Sequence, residues 1–169
     1  MRHTLIVLVL LLVPLGSRAD DKKTDPLKVE NEKGKETTFT AEAIAKLPRQ
    51  TLKVKDHKGN PATYEGVPLA DVLRSANVTL GKDLKGPLLA NFLLVEAADG
   101  YRVVFALPEV DPDLTDKIVL LADRKDGKPL AADDGPYKII APGDKRNMRW
   151  VKRVTRISVR SGAPAAKDK

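Results

Sequence analysis

No cysteine occurs anywhere in the 169 residues, and that absence limits the folds open to the chain more than any motif does. Disulfide stapling, thiolate nucleophiles, Cys-ligated zinc and iron–sulfur clusters are all excluded. Apolar packing alone must hold the fold. The 150 residues beyond Ala19 are enough for one domain, which at that size buries about 70% of the surface its unfolded chain exposes.

Residues 1–19 read as a secretory signal peptide. Arg2 and His3 form a basic start, Thr4 to Leu15 an apolar stretch, and Ser17-Arg18-Ala19 a small-residue cleavage site. The expected location is therefore periplasmic or secreted. Pro14 and Gly16 interrupt the apolar run short of the roughly 20 residues a membrane helix needs, so no stable membrane anchor is expected. Residues 20–26 read as a flexible N-terminal segment, 27–160 as one domain, and 161–169, rich in Ala, Gly, Pro and Lys, as a disordered tail.

Within the domain, Leu27 to Asn31 alternates apolar and polar residues like a half-buried strand, and Glu32 to Lys35 reads as a turn. Thr40 is placed to cap a short helix over Ala41 to Leu47 that Pro48 ends. Thr51 to Lys55 alternates again. Pro68 suits the first position of a second helix, whose apolar stripe is Leu69, Val72, Leu73 and Ala76. Phe92 to Val95, an Asp99-Gly100 turn and Tyr101 to Phe105 predict a hairpin inside the fold. Ile118 to Ala122, Tyr137 to Ala141 and Thr155 to Val159 supply further strands, with an Asp126-Gly127 turn after the first. There is no internal repeat, and strands outnumber helices in one mixed α+β domain.

Charge has an address in this chain. From Asp144 to Arg160, seven basic residues (Lys145, Arg146, Arg149, Lys152, Arg153, Arg156 and Arg160) face one acid, while the rest of the chain beyond Ala19 sums to −1. The loop after Pro142-Gly143 carries Lys145, Arg146, Asn147 and Arg149 beside the sole tryptophan, Trp150, and is the candidate anion site. Guanidinium forks and backbone N–H groups suit phosphate because they give paired, charge-assisted hydrogen bonds. Arg153, Arg156 and Arg160 read instead as charges decorating an exposed strand, and Trp150 as a core or rim residue. The pairs Asp111 with Asp113 and Asp133 with Asp134 fit turns and solvated surface better than acid–base chemistry. No Ser-His-Asp arrangement, phosphate-binding glycine loop, zinc spacing or dinucleotide fingerprint occurs. A nucleic-acid partner is not expected of an exported chain.

In order and spacing these pieces resemble the molybdopterin-binding domain of the sulfite oxidase family. The motifs that carry the resemblance are Tyr64-Glu65-Gly66-Val67-Pro68-Leu69-Ala70-Asp71-Val72-Leu73, Ala98-Asp99-Gly100-Tyr101, Val119-Leu120-Leu121-Ala122 with Asp126-Gly127-Lys128-Pro129-Leu130, and Gly135-Pro136 through Pro142-Gly143 to Arg149-Trp150-Val151. The resemblance implies a β-rich α+β sulfite-oxidase-type domain. It implies molybdopterin as the cofactor, with Lys145, Arg146, Asn147 and Arg149 toward the pterin phosphate and Tyr101 and Arg102 near the pocket. Enzymes of that family hold molybdenum through a cysteine just before the Gly-Val-Pro-Leu helix. The matching region here is Thr51-Leu52-Lys53-Val54-Lys55-Asp56-His57, where no sulfur is present and an aliphatic side chain offers a metal no lone pair.

The leading expectation is an exported domain that binds an anionic small molecule or the pterin without redox turnover, with no catalytic residue and no protein ligand to a metal. Two alternatives stay open. One is a molybdopterin-dependent oxidoreductase with a non-cysteine molybdenum site near Asp56 or His57. The other is a non-enzymatic module docking on an acidic envelope protein.

Overall fold

The computed structural model describes residues 25–56 and 58–163. The expected signal peptide, His57 and most of the expected tail lie outside the described residues. Two sheets share one apolar core. The first runs in the order β2 (Glu36–Phe39), β1 (Leu27–Glu30), β10 (Val154–Ser161), β5 (Asn91–Ala97) and β6 (Arg102–Ala106). The second joins β3 (Gln50–Lys55), β4 (Pro61–Pro68), β7 (Leu120–Lys125) and β8 (Lys128–Pro129), with β9 (Lys138–Ile140) also on β7. The helices are short: α1 (Ala41–Ala45) and α2 (Leu69–Ser75).

Local chemistry accounts for the element ends. The Thr40 hydroxyl accepts a hydrogen bond from the Ala43 N–H at 3.2 Å and starts α1. In the turn after β1, the Asn31 side chain accepts from the N–H groups of Lys33 and Lys35, and Gly34 supplies the left-handed residue (φ +75°). The expected stripe of α2 is fully realised, since Leu69, Val72, Leu73 and Ala76 each bury completely. Pro68, however, is the last residue of β4 and caps the helix from outside it.

Four expectations need correction. The hairpin of β5 and β6 is not interior: β6 is an edge strand on which only Val103 and Phe105 point into the core. The last strand, by contrast, is not an exposed edge. β10 lies between β1, in parallel, and β5, antiparallel, so Arg156 and Arg160 project from the middle of a sheet. The final strand also extends through Ser161, and the Gly162 N–H donates to the Ala90 carbonyl at 3.0 Å, which moves the start of any tail outward. Finally, Asp111 is fully buried and Asp134 partly so, both as structural acceptors. Asp111 takes the Gly81 N–H at 2.6 Å, and Asp134 pairs with the buried Lys138 at 2.8 Å.

Gly66 sits where the β4–β7 register shifts, and a Cβ there would lie 2.1 Å from the Leu121 carbonyl oxygen. Backbone, unlike a side-chain tip, has little room to give. Gly66→Ala should therefore lower stability by about 3 kcal/mol, read from the urea midpoint, with wild-type stability contradicting the close approach.

On the outer face of β10, Arg156 reaches Glu30 and Glu36, and Arg160 also reaches Glu30. The Arg160 and Arg156 guanidiniums hold the Glu30 carboxyl at about 2, against an ordinary 4.5. A depressed carboxylate gives its full stabilisation above pH 4.5 and loses it as pH falls toward 2. Melting temperatures should fall across that window, and Glu30→Gln should flatten the fall. An identical acid profile in the variant would place the sensitivity elsewhere.

Candidate functional site

Two backbone segments from the second sheet face each other across a cleft of about 790 Å³. One wall is the end of β3 and the turn after it, Lys53 to Asp56 with Gly59. The other is the loop leaving β9, Pro142 to Met148, with Trp150 completing the lining. The Thr51–His57 region, expected to stand where the family holds its metal, and the candidate anion loop thus line one cleft.

Trp150 is nearly buried. Its indole N–H donates to the Ala141 carbonyl at 2.9 Å, and its ring meets Tyr64 edge-to-face at 5.8 Å between centroids. The loop backbone is short-wired as well: Asp144 N–H donates to the Ala141 carbonyl and Trp150 N–H to the Asn147 carbonyl.

The six expected ligand-binding residues divide into two groups. Lys145, Arg146 and Asn147 line the cleft, and neither cation has an ion-pair partner among the described residues. The Asn147 amide nitrogen is buried without any hydrogen-bond partner, an unsatisfied donor of the kind that a ligand or a water must complete.

Arg149, Tyr101 and Arg102 do not line it. Arg149 is spent inside the protein: its Nε and Nη2 hold both oxygens of Asp144 at 2.9 and 2.7 Å, and its Nη1 donates to Glu109 at 2.8 Å and to the Val104 carbonyl at 3.3 Å. The guanidinium also stacks on Phe105 at 4.3 Å. Hydrogen bonding to Asp144, and then to Glu109, raises its pKa further above the ordinary arginine value against the opposing effect of burial. The Tyr101 hydroxyl donates to the Met148 carbonyl at 2.8 Å, and Arg102 pairs with Glu96 at 2.7 Å. Arg149 and Tyr101 therefore shape the loop from behind, while Arg102 lies away on the edge strand.

The basic segment is largely cancelled. Arg149, Lys152, Arg156 and Arg160 all carry ion pairs, which leaves Lys145, Arg146 and Arg153 without one among the described residues. Across the cleft, Lys53 and Lys55 also line it and carry no ion pair among the described residues.

On the opposite wall, Val54 is half-buried, packs on the core and lines the cleft. Asp56 is its carboxylate neighbour, with both oxygens engaged: one accepts from the Lys58 and Asn60 N–H groups at 2.9 and 3.0 Å, the other faces Lys125 at 3.4 Å. Despite partial desolvation, the N–H groups of Asn60 and Lys58 and the Lys125 ammonium hold that carboxyl below its ordinary value. Among the described residues no cluster of three or more His, Asp or Glu could hold a metal ion.

A family model of the oxidoreductase molybdopterin binding domain matches residues 15–166. The chain belongs to this family. Its fold is similar to that in the crystal structure of the sulfane dehydrogenase SoxCD from Paracoccus pantotrophus, with a TM-score of 0.61 and 23% identity. That match covers 79% of this chain but 37% of the other, so the domain spans little more than a third of that relative. Among curated proteins none matches the chain in sequence. The sheet-rich α+β architecture is thus a molybdopterin-binding oxidoreductase fold.

For a molybdenum–pterin cofactor the cleft fits in part. Lys145, Arg146 and the unsatisfied Asn147 amide suit a phosphate or another anion. The wall carrying Val54 offers no thiolate, and both carboxylate oxygens of Asp56 already face donors, the Lys58 and Asn60 N–H groups and the Lys125 ammonium.

The Arg149 fork is the interaction that lysine cannot copy, because an ammonium is a point charge without paired planar donors. Arg149→Lys should cost about 2 kcal/mol of stability, measured by denaturant unfolding. A midpoint equal to wild type would mean that the fork contributes nothing.

Proposed function

We propose that this domain is an exported anion-binding module that takes a phosphate-bearing ligand, in the first instance the pterin cofactor, in the cleft between β3 and the Pro142–Trp150 loop, without redox turnover of its own. The observation that carries this reading is the buried, partnerless amide of Asn147 beside two cations free of ion pairs. Family membership supports the pterin as the ligand. The cysteine-free sequence and Val54 on the facing wall support binding without a protein ligand to molybdenum. Export rests on the signal-like residues 1–19.

Lys145 and Arg146 are solvent-exposed, so each of their charge-assisted bonds to a phosphate contributes up to about 1 kcal/mol, with the buried Asn147 amide beside them. Followed through Trp150 fluorescence, a phosphorylated pterin should bind saturably, and the Lys145→Ala, Arg146→Ala double variant should weaken it by about tenfold. Unchanged affinity in that variant would remove the cleft from consideration. Metal analysis of protein made in molybdenum-replete cells provides the second arm. Little or no molybdenum is expected, and stoichiometric metal would overturn the non-redox reading in favour of an oxidoreductase whose metal is held by the pterin alone.

A second reading has its own observation. Tyr101, Val104 and Met148 are exposed (45, 48 and 67%), and the first and last are joined by a hydrogen bond. Beside Lys145 and Arg146 they would form an apolar patch with a cationic rim, suited to an acidic envelope protein.

A further inference from the structure

A second cavity, of about 600 Å³, shares no lining residue with the cleft. It lies between the end of β7, the Pro129–Tyr137 segment and the start of β10. Two independent irregularities meet there. Tyr137 is 3% exposed, yet its hydroxyl has no hydrogen-bond partner. Leaving a buried hydroxyl unpaired typically costs on the order of 1–3 kcal/mol, and in proteins such groups usually find protein or water partners. Arg153, the third cation of the basic segment without an ion pair, holds a left-handed backbone at φ +50°. Its own N–H donates to the Asp134 carbonyl and its carbonyl accepts from the Ala98 N–H, so the neighbouring loops fix this strained geometry. Strain of this kind in a non-glycine residue concentrates at functional positions.

The lining chemistry narrows the ligand. Arg153 and Arg124 provide positive charge from the exposed rim; neither pairs with a carboxylate among the described residues, and Arg124 Nη1 donates to the Gly127 carbonyl at 3.4 Å. The carboxylate of Asp123 is closed off by a bidentate bond to Arg49 at 2.6 and 2.9 Å, and Asp25 is an exposed residue of the lining. Pro129, Leu130, Pro136 and Val154 supply apolar wall. Burial, with the nearby charges of Asp123 and Glu42, pushes the Tyr137 hydroxyl up to about 12, so it stays a donor near neutral pH. An inorganic anion would leave the apolar wall unused, and a neutral apolar molecule would leave two arginines and a buried hydroxyl unanswered.

From this geometry we infer a second binding site, for a small organic carboxylate with an aromatic or branched apolar body, held by Arg153 and Arg124 and hydrogen-bonded by the Tyr137 hydroxyl. The volume is in the range of small-molecule pockets. The site is independent of the phosphate cleft.

Benzoate is the probe, with benzamide and inorganic phosphate as comparators, followed by backbone amide shifts of the full chain. Benzoate should give saturable shifts centred on Leu130, Tyr137 and Arg153, and benzamide and phosphate should give none there. Tyr137→Phe should weaken benzoate about tenfold. Arg153→Gly, which keeps the left-handed backbone while removing the charge, should weaken it by at least as much. The Lys145→Ala, Arg146→Ala variant should bind benzoate like wild type, which separates this site from the cleft. Without ligand, Tyr137→Phe should melt at or above the wild-type temperature. A lower melting temperature would reveal a resident partner for the hydroxyl and overturn the inference, as would benzoate shifts that are absent, matched by benzamide, or indifferent to both substitutions.

Discussion

A single guanidinium joins the two sheets where the cleft opens. The loop bearing Lys145, Arg146 and Asn147 leaves from β9 of the second sheet, but Arg149 within it is fastened to Glu109 and the Val104 carbonyl, beside the edge strand of the first. Asp144 closes the same fork from inside the loop. With the charge surrounded by two carboxylates and an aromatic face, the loop between Asp144 and Trp150 has little freedom. The cleft inherits its shape from that restriction. An arginine that resembles a ligand-binding residue in sequence serves here as the fastening that positions its neighbours.

The same logic reorganises the basic segment. A run of cations in sequence suggests one positively charged surface. Folding distributes it among five environments: the inter-sheet fork, an ion pair at Asp134, a carboxylate network on the outer face of β10, and two separate cavities. Coulombic attraction between neighbours within about 4 Å consumes most of the charge. What remains of the segment's charge is local: Lys145 and Arg146 in the cleft, facing Lys53 and Lys55 of the other wall, and Arg153 at the second cavity.

Much of the architecture was legible because periodicity and turn chemistry are local. The stripe of α2, the Thr40 cap and the Asp99-Gly100 and Asp126-Gly127 turns all depend on residues a few positions apart. β2 was not legible: Glu36-Thr37-Thr38-Phe39 contains one large apolar residue, and it is a strand because β1 lies alongside. β4 was hidden by its bracketing prolines, although Ala62, Tyr64 and Gly66 bury on alternation. The run Phe92-Leu93-Leu94-Val95, apolar on both faces, suggested an interior hairpin with Tyr101 to Phe105, whereas neighbouring strands, which sequence does not display, decide which face is covered. For the site, residue types and their loop were readable. The partners of Arg149 lie 40 and 45 residues away, beyond the reach of any local pattern, and so the division between residues that line the cleft and residues that brace its loop emerged only from the fold.

The placement of β10 has a consequence for how the chain reaches this state. The first sheet has its last strand in chain order at its centre, hydrogen-bonded on one side to the first strand and on the other to β5. Every strand of the second sheet precedes it. During vectorial synthesis the second sheet can assemble from residues already made, while β1 and β5 wait with open edges for a strand that arrives last. Long-range pairing of this type raises the entropic cost of the folding nucleus and slows it. A nascent chain of this sequence therefore lacks the two central pairings of its first sheet, β1 with β10 and β10 with β5, until Ser161 has been made.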